Sequence, residues 1–439
     1  MSRTIHRTLT LTAIALLALS PLAACGSGDN GTDAGADSGT KPDSGAKADS
    51  GTPDSGDTTD SGAQDTGAQD SGGGTDASND GAANDGAASD GGGGADGGLG
   101  YNLMVVRVGG AILDGGAEAG TLTAAAAPVY LEERRSSDGL LVRTLTMPQV
   151  SNGNNQPFTL SGNSTTEGGL TRSGNGSYVV LGGYAAIPNT AAIAGTTSAG
   201  TNRVVARVDA AGNIDTTTRL DAAFSTTNIR GAASNDGTAF WASGASGASM
   251  SGGVFYVTLG QTGGTQIFSS QLNMRQVGVF GGQLYGDTQA GNTLAIFSIG
   301  NGLPTMANQM GTNLNGVTTA NTTPNGFILL DLNAQVAGVD TAYVADTRAV
   351  MSGGGVQKWT YDGMTWTLKA TFTQGLTSNP LYVTAAKVGA DVVVVATTAE
   401  SPARLVRYID DGQNVNPNSF VLTTAQPNTV LRGVAVSPQ

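Results

Sequence analysis

Short apolar segments separated by small polar turns make up the chain from Tyr101 to Gln439. The segments are four to eight residues long, alternate apolar and polar positions, and are rich in Val, Thr, Ile and Tyr. The turns between them contain Gly, Asn and Asp, the residues that best accept the backbone conformations of tight hairpins. No helical period is sustained. The pattern therefore predicts a many-stranded antiparallel all-β domain over residues 101–439.

The predicted strands fall into a repeat of about fifty residues. One unit contains a hairpin around Asn235-Asp236-Gly237 and then a second, more polar hairpin from Val254 to Ser269. Two such hairpins predict one four-stranded sheet, and this spacing is typical of β-propeller blades. The sheets are predicted to begin near residues 169, 229, 275, 326 and 381.

The two ends of the domain together supply one more sheet. Its predicted strands are Leu103–Val108, Val129–Glu133 and Leu140–Thr146 from the beginning of the domain and an innermost strand, Leu431–Val436, from its end. Pairing of the two chain ends would close the ring and remove exposed sheet edges. We expect six blades, or seven if a further strand pair lies within 305–325 or 185–202.

The beginning of the chain has the pattern of an export signal. Arg3 and Arg7 precede an apolar run from Ala13 to Leu19, which is too short to span a bilayer. The following Leu22-Ala23-Ala24-Cys25 resembles the lipobox of bacterial lipoproteins, in which the signal is cut before the Cys and the Cys is acylated. The resemblance implies a signal peptide over 1–24 and attachment to the membrane through lipidated Cys25. Gly26, where some lipoproteins carry a retention Asp, favours the outer membrane.

Residues 25–100 are composed almost entirely of Gly, Ala, Ser, Thr and Asp, and 26–100 hold fifteen Asp against two Lys. Such a segment cannot bury enough apolar surface to offset its chain entropy, so we expect a disordered, acidic linker. A flexible chain of this length spans about 50 Å. The predicted organisation is therefore a signal peptide (1–24), a linker (25–100) and a β-propeller-like domain (101–439). We expect the protein to be lipid-anchored in the cell envelope, at the outer membrane, either in the periplasm or exposed on the cell surface.

Composition limits the chemistry of the domain. The chain has a formal charge of -13, but residues 101–439 carry nineteen acidic and seventeen basic residues and no basic cluster, so no nucleic-acid partner is expected. His6 and Cys25 are the only histidine and cysteine. Both lie outside the domain, which excludes Cys/His zinc sites and His-dependent triads there. We predict no catalytic, metal-binding or cofactor-binding residue and no cofactor; any acid or base would be Asp, Glu, Lys or Tyr.

Four segments carry a second resemblance: Asn202–Asp209, Asn325–Leu332, Gly338–Asp346 and Gln357–Thr360. Taken together, these Gly- and Val-rich segments resemble a family of secreted bacterial β-propeller-type proteins to which no activity is assigned. The resemblance covers almost all of 101–439. It implies fold and export, and it supplies no catalytic residue.

The tryptophans are the candidate ligand contacts. Trp241, Trp359 and Trp366 could form an aromatic platform for a carbohydrate. The alternative is sheet packing, because a two-residue turn at Asp362-Gly363 would place Trp359 opposite Trp366, and cross-strand aromatic pairs stabilise a sheet by about 0.2–1 kcal/mol.

Three functions fit these features. The first is a lipid-anchored envelope protein with a non-catalytic binding or scaffolding propeller, whose partner is a polysaccharide or an envelope protein. The second is a carboxylate-based carbohydrate-active enzyme, a glycoside hydrolase or lyase with paired acids on its axial face. The third is a component of outer-membrane assembly.

Overall fold

The computed structural model of the protein describes residues 100–110, 120–247, 250–291 and 294–439. The predicted signal peptide and the predicted linker, apart from Gly100, lie outside the described residues. In the described part the chain is all-β, with twenty-five strands and two single-turn 3-10 segments at Ile193–Gly195 and Val350–Ser352.

The strands are as follows: β1 (Asn102–Gly109), β2 (Ala126–Arg135), β3 (Leu141–Thr146), β4 (Thr159–Ser161), β5 (Leu170–Arg172), β6 (Tyr178–Tyr184), β7 (Arg203–Asp209), β8 (Ile214–Leu220), β9 (Ile229–Ser234), β10 (Ala239–Gly244), β11 (Gly253–Thr258), β12 (Thr265–Phe268), β13 (Met274–Phe280), β14 (Gln283–Thr288), β15 (Ile296–Ile299), β16 (Gly311–Asn313), β17 (Pro324–Leu330), β18 (Thr341–Asp346), β19 (Gly355–Tyr361), β20 (Trp366–Phe372), β21 (Pro380–Val388), β22 (Asp391–Thr398), β23 (Arg404–Asp410), β24 (Ser419–Thr424) and β25 (Thr429–Val436).

Five antiparallel four-stranded blades follow one another along the chain: β5–β8, β9–β12, β13–β16, β17–β20 and β21–β24. Their first strands begin at residues 170, 229, 274, 324 and 380, each within two residues of the predicted start. The region 305–325 contributes β16, the outer strand of its blade, and the first two residues of β17, and 185–202 contains a 3-10 turn but no strand. No seventh blade forms in the described residues.

The sixth blade joins the two ends of the domain, as predicted. Strand β25 pairs with β1, β1 with β2, and β2 with β3, so the last strand of the chain is the innermost strand of this closing blade. Met104 lies opposite Ala435 and Val105 opposite Val434. Each innermost strand contacts the next around the ring, in the order β25, β5, β9, β13, β17, β21 and back to β25. The described residues thus form a six-bladed β-propeller.

Six apolar clusters, one between each pair of neighbouring blades, hold the ring together. The cluster between the closing blade and the β5–β8 blade contains Met104, Leu131, Phe158 and Val204, all fully buried. Strand β4 adds to this contact because it pairs with both β2 and β6. Each blade buries side chains of both its faces against its neighbours, and this burial between blades stabilises the ring.

The hairpin of β19 and β20 differs from the predicted register. Tyr361 lies opposite Trp366 and Trp359 opposite Leu368, so Trp359 and Trp366 do not face each other. The turn has four residues rather than two, because the Asp362 carboxylate accepts hydrogen bonds from the backbone N–H groups of Met364 and Thr365 at 2.9 and 2.8 Å. A side-chain acceptor that satisfies two turn donors stabilises the longer turn.

Candidate functional site

All six innermost strands run in the same direction and therefore begin at the same face of the propeller, which we call the entry face. Each blade leads from its innermost to its outermost strand and returns to the axis at this face. Polar residues at or just before the beginnings of these strands, together with one residue at the end of the adjacent strand β14, meet around the axis. They form the axial cluster: Glu167, Arg230, Arg275, Gln276, Asp287, Tyr382 and Arg432.

Glu167 precedes β5 and is fully buried. Its Oε1 accepts hydrogen bonds from the Tyr184 hydroxyl at 2.8 Å and from the Asn228 side-chain amide. Its Oε2 accepts from the Ser161 backbone N–H at 2.8 Å and lies 3.9 Å from Arg432 Nη1. Burial raises the pKa of Glu167, while Arg432 and the hydrogen-bond donors oppose that shift. Both oxygens are thus engaged by the protein itself.

Arg432 on β25 is 1% exposed. Its Nη2 donates to the main-chain oxygens of Ser161 and Gly162 at 2.5 and 2.9 Å. Burial lowers the pKa of Arg432, and the negative charge of Glu167 opposes the change. Arg432 therefore joins the closing blade to the segment before β5, and Glu167 compensates its charge.

Arg230 on β9 and Arg275 on β13 have no carboxylate within ion-pair distance among the described residues. Arg230 Nη1 donates to Asn273 Oδ1 at 2.5 Å and to the Met274 main-chain oxygen at 2.9 Å. Arg275 Nη2 donates to Gln289 Oε1 at 2.6 Å. Arg230 Nε and both Arg275 Nε and Nη1 are buried without a hydrogen-bond partner. Burial, and then the neighbouring charge of Arg275, lower the pKa of Arg230 to about 10.

Asp287 lies at the end of β14, which runs antiparallel to β13 and so ends at the entry face. Its Oδ1 accepts the Gln276 backbone N–H at 2.5 Å, whereas its Oδ2 is buried without a partner. Burial raises the pKa of Asp287 to about 7, although Arg275 and Arg230 favour the charged form. The carboxyl group therefore changes charge near neutral pH.

Tyr382 and Gln276 fill the axis. The Tyr382 hydroxyl, on β21, donates to the main-chain oxygen of Glu167 at 3.1 Å, and Gln276 Nε2 reaches the Leu170 oxygen at 3.4 Å. Both contacts join innermost strands that are not neighbours in the ring. A side chain at Gly326 would meet Gln276 Oε1 at 2.7 Å and the Tyr382 ring at 3.1 Å, so glycine is required for this filling.

The axial cluster is largely closed to solvent. Glu167, Asp287 and Arg432 are at most 1% exposed, and Tyr382 is 3% exposed. Arg275 is only half-buried, and its neighbours Gln289 and Asn273 are also partly exposed. Arg275, Gln289 and Asn273 are thus the partly exposed side chains here, although Nε and Nη1 of Arg275 are themselves buried. No group of three metal-binding side chains occurs in the described residues.

The structure places the predicted aromatic contacts within the blades. Trp241, Trp359 and Trp366 are 3%, 2% and 4% exposed. Trp241 Nε1 donates to the Pro304 oxygen at 2.7 Å, and Trp359 Nε1 donates to Gln357 Oε1 at 3.1 Å. Trp366 stacks on Tyr361 with ring centres 5.3 Å apart. None of the three belongs to the axial cluster, and their surroundings favour packing over a carbohydrate platform.

Cys25, the predicted lipidation site, lies outside the described residues. No helix in the described part of the chain is long and apolar enough to cross a membrane.

A second surface feature is a cleft of about 460 Å³ at the outer edge of the β5–β8 blade. It is lined by Gly153, Asn154, Gln156, Thr217, Arg219 and Gly260. It lies on the outermost strand β8, away from the axial cluster, and contains one charged side chain. The axial cluster combines more charged groups in closer contact and is the stronger candidate.

Sequence reasoning missed the axial cluster, although a signal was present. Arg230-Gly231, Asn325-Gly326 and Arg432-Gly433 occur at equivalent positions of three innermost strands, each within an otherwise apolar segment. A polar residue followed by glycine near the start of an inner strand puts a long side chain beside a position where backbones approach closely.

No family model matches the chain, and no curated protein matches it. Among solved structures, a candidate 6-phosphogluconolactonase from Bacteroides fragilis is similar over 74% of this chain and 83% of that chain, with 12% identity and a TM-score of 0.42. A second one, from Bacteroides uniformis, covers 73% and 82%, with 11% identity and a TM-score of 0.38. Likenesses of this size carry no argument about activity.

Proposed function

We propose that the protein is a lipid-anchored component of the bacterial cell envelope whose propeller binds a ligand at its entry face without transforming it. The observation that carries the proposal is the state of the axial cluster: Tyr382 and Gln276 close the axis, and both oxygens of Glu167 are held by protein donors. A closed axis with rigid polar groups at its mouth is suited to recognition, because binding groups that are already fixed lose little entropy.

The cellular location of the protein is proposed from its first hundred residues. The lipobox-like Leu22-Ala23-Ala24-Cys25 provides an acylated attachment point, and Gly26 favours the outer membrane. The composition of 26–100 is that expected of a flexible linker, and a linker of this length, about 50 Å in span, would let the propeller meet partners beyond the lipid surface. We propose polysaccharides and envelope proteins as the partner classes.

A carboxylate-based enzyme is the second candidate, and Asp287 is the observation that favours it. Its pKa of about 7 is the value that a general acid near neutral pH needs. However, the carboxyl is fully buried, and its Oδ1 is held by the Gln276 N–H. Binding therefore remains the better supported function.

The test uses the full chain, with its proposed signal peptide, carrying Cys25→Ser, which removes the acylation site. This variant should leave the membrane fraction, whereas the acylated protein should remain in it. The soluble chain is then applied to a glycan array and, separately, to solubilised envelope proteins. We expect a bound glycan or a specific envelope partner that is recovered without chemical change. Release of cleaved sugar would favour the enzyme, and a Cys25→Ser chain that still sediments would contradict the anchor.

A further inference from the structure

The outermost strand β8 carries a cleft on its free edge. The Gln156 backbone N–H donates to the Thr216 oxygen at 3.4 Å, and the Thr216 hydroxyl donates to the Gln156 oxygen at 2.8 Å. Further along β8, the Arg219 backbone N–H donates to the Gln261 oxygen at 2.9 Å, and the Arg219 oxygen accepts from the Gly263 N–H at 3.0 Å. The cleft of about 460 Å³ is lined by residues of both attached segments and of β8. Hydrogen bonds to β8 therefore hold its walls in place.

Arg219 brings an unpaired positive charge to this cleft. Among the described residues its guanidinium forms no ion pair and no hydrogen bond. Its Nε is buried, but Nη1 and Nη2 are accessible to solvent, so a ligand in the cleft can reach them. Asp215 of β8 is already engaged, since its Oδ2 lies 3.3 Å from Arg207 Nη2 and its Oδ1 accepts the Thr217 hydroxyl at 2.7 Å. Arg219 is thus open to an anion from outside.

The other groups that line the cleft are uncharged and polar. They are two amides, one hydroxyl and two glycines: Gly153, Asn154, Gln156, Thr217 and Gly260. Amides and hydroxyls can both donate and accept, which suits the hydroxyl groups of a sugar. No aromatic or aliphatic side chain is among these residues, so the cleft offers no contact for the apolar part of a lipid or peptide. Its volume lies in the range of small-molecule sites, about 300–1,000 Å³.

Glycine at position 260 keeps the cleft open. A Cβ on Gly260 would meet only one atom, Thr217 Oγ1, at 3.7 Å. The space above the Thr217 hydroxyl is therefore free for a ligand.

We propose that this cleft is a second ligand site, which binds a saccharide unit carrying a carboxylate or sulfate group. The anionic group accepts two parallel hydrogen bonds from Nη1 and Nη2 of Arg219, the end-on geometry that a planar guanidinium offers. The sugar hydroxyls bind the amides of Asn154 and Gln156 and the oxygen of the Thr217 hydroxyl. The site is separate from the axial cluster, so the inference goes beyond the proposed function.

Titration calorimetry of the detergent-solubilised full chain tests the inference, because its result does not depend on the proposed anchor. Digalacturonate and a monosulfated disaccharide are the acidic probes. The methyl ester of digalacturonate is the uncharged probe, and inorganic sulfate is the free anion. We expect at least one acidic disaccharide to bind, and added salt to weaken the binding. The methyl ester and inorganic sulfate should bind at least about tenfold more weakly.

Variants of the cleft locate the binding. Arg219→Gln removes the charge and should raise the dissociation constant of the bound disaccharide at least about tenfold. Arg219→Lys keeps the charge without the paired N–H groups, so its constant should lie between those of the parent and Arg219→Gln. Asn154→Ala removes an exposed amide and should raise the constant roughly threefold. Lys369→Gln is the matched control: it removes an exposed positive charge from the outermost strand β20 of another blade and should leave the constant unchanged.

The thermal unfolding midpoint shows whether each variant folds, and that of Arg219→Gln should match the parent, because the guanidinium has no partner among the described residues. The inference is overturned if neither acidic disaccharide binds, if folded Arg219→Gln binds as tightly as the parent, or if the methyl ester binds equally well. Inorganic sulfate that binds as tightly as the sugars would also overturn it, since the cleft would then select a free anion. The axial cluster shares no residue with the cleft, so failure here leaves the proposed function to its own test.

Discussion

The Tyr382 hydroxyl donates a 3.1 Å hydrogen bond to the main-chain oxygen of Glu167, from a position 215 residues further along the chain. The contact passes the closing strand β25 and joins two innermost strands that are not neighbours in the ring. The carboxylate of the same Glu167 forms an ion pair with Arg432 on β25, with Oε2 3.9 Å from Nη1. One residue pair thus links the first, last and closing blades of the propeller at the axis.

Removal of this hydroxyl tests the link. Tyr382→Phe should lower the free energy of unfolding by about 1–2 kcal/mol, because it leaves a buried main-chain acceptor without this donor. Urea denaturation at constant pH measures the change. Tyr361→Phe is the control, since the Tyr361 hydroxyl binds the exposed Gly363 oxygen and should cost less than about 0.5 kcal/mol. Equal losses of unfolding free energy in the two variants would show that the axial hydrogen bond contributes no more to stability than the exposed one.

The buried ion pair should be costly to break on one side. Glu167→Gln leaves Arg432 charged, 1% exposed and without its carboxylate, so we expect a loss of about 3–5 kcal/mol in the free energy of unfolding. Glu400→Gln removes a partner of Arg404 in a more exposed pair and should cost at most about 1 kcal/mol. Chemical denaturation compares them. A loss below that of Glu400→Gln would contradict the assigned role of Glu167.

Asp287 should make stability depend on pH near neutrality. Its pKa is about 7 in the folded protein, against about 3.9 in an unfolded chain, so the folded state holds one more proton between these values. Raising the pH through this range therefore favours unfolding. Its contribution is complete below about pH 4 and is lost as the pH rises through 7.

Asp287→Asn should remove this dependence. Relative to the variant, the parent protein should lose about 2 kcal/mol of unfolding free energy between pH 5 and pH 7. Denaturation curves at the two pH values measure it. Asp362→Asn is the control: hydrogen bonds from Thr365 and Met364 lower the pKa of Asp362, so its carboxyl is ionised over the whole range. A pH dependence that is the same in all three proteins would be inconsistent with a proton held at Asp287.

Close approach of backbones at the axis predicts a strict requirement for glycine. A Cβ at Gly433 would lie 2.2 Å from the Gly168 oxygen and 2.5 Å from the Leu170 nitrogen, both main-chain atoms. Gly433→Ala should therefore destabilise the protein by about 1–3 kcal/mol, the range for overpacked sites. Gly195→Ala, where nothing lies within 4 Å, should have little effect. Thermal unfolding distinguishes them, and a neutral Gly433→Ala would mean that β25 sits further from β5.

The number and position of the blades could be predicted from sequence because local patterns determine them. Glycine at positions such as Gly237 and Gly212 sets the turns, and alternation of apolar residues sets the strands between them. The closing blade was also predictable, since the segment from Leu431 to Val436 has the pattern of an inner strand without later partners. These features depend on neighbours in sequence.

The predicted register of the β19–β20 hairpin was wrong, and the axial cluster was not predicted. An Asp-Gly pair is compatible with a two-residue turn and with a four-residue turn. The hydrogen bonds that the Asp362 carboxylate accepts decide between the two, and they are not visible in the sequence. The axial cluster depends on which side chains from six distant strands meet at the axis, as with Glu167 and Tyr382. Periodicity gives the face of each strand but not the partner across the ring.

The central claim is that the last strand of the chain completes the ring whose axis carries the cluster. Hydrogen exchange of the intact protein tests it directly by comparing the backbone amides of Thr429–Val436 with those of the innermost strand Ile229–Ser234. The account predicts that both strands exchange slowly and to a similar degree, since both are inner strands of complete blades. Rapid exchange of Thr429–Val436, with Ile229–Ser234 still protected, would show an open ring and contradict the account.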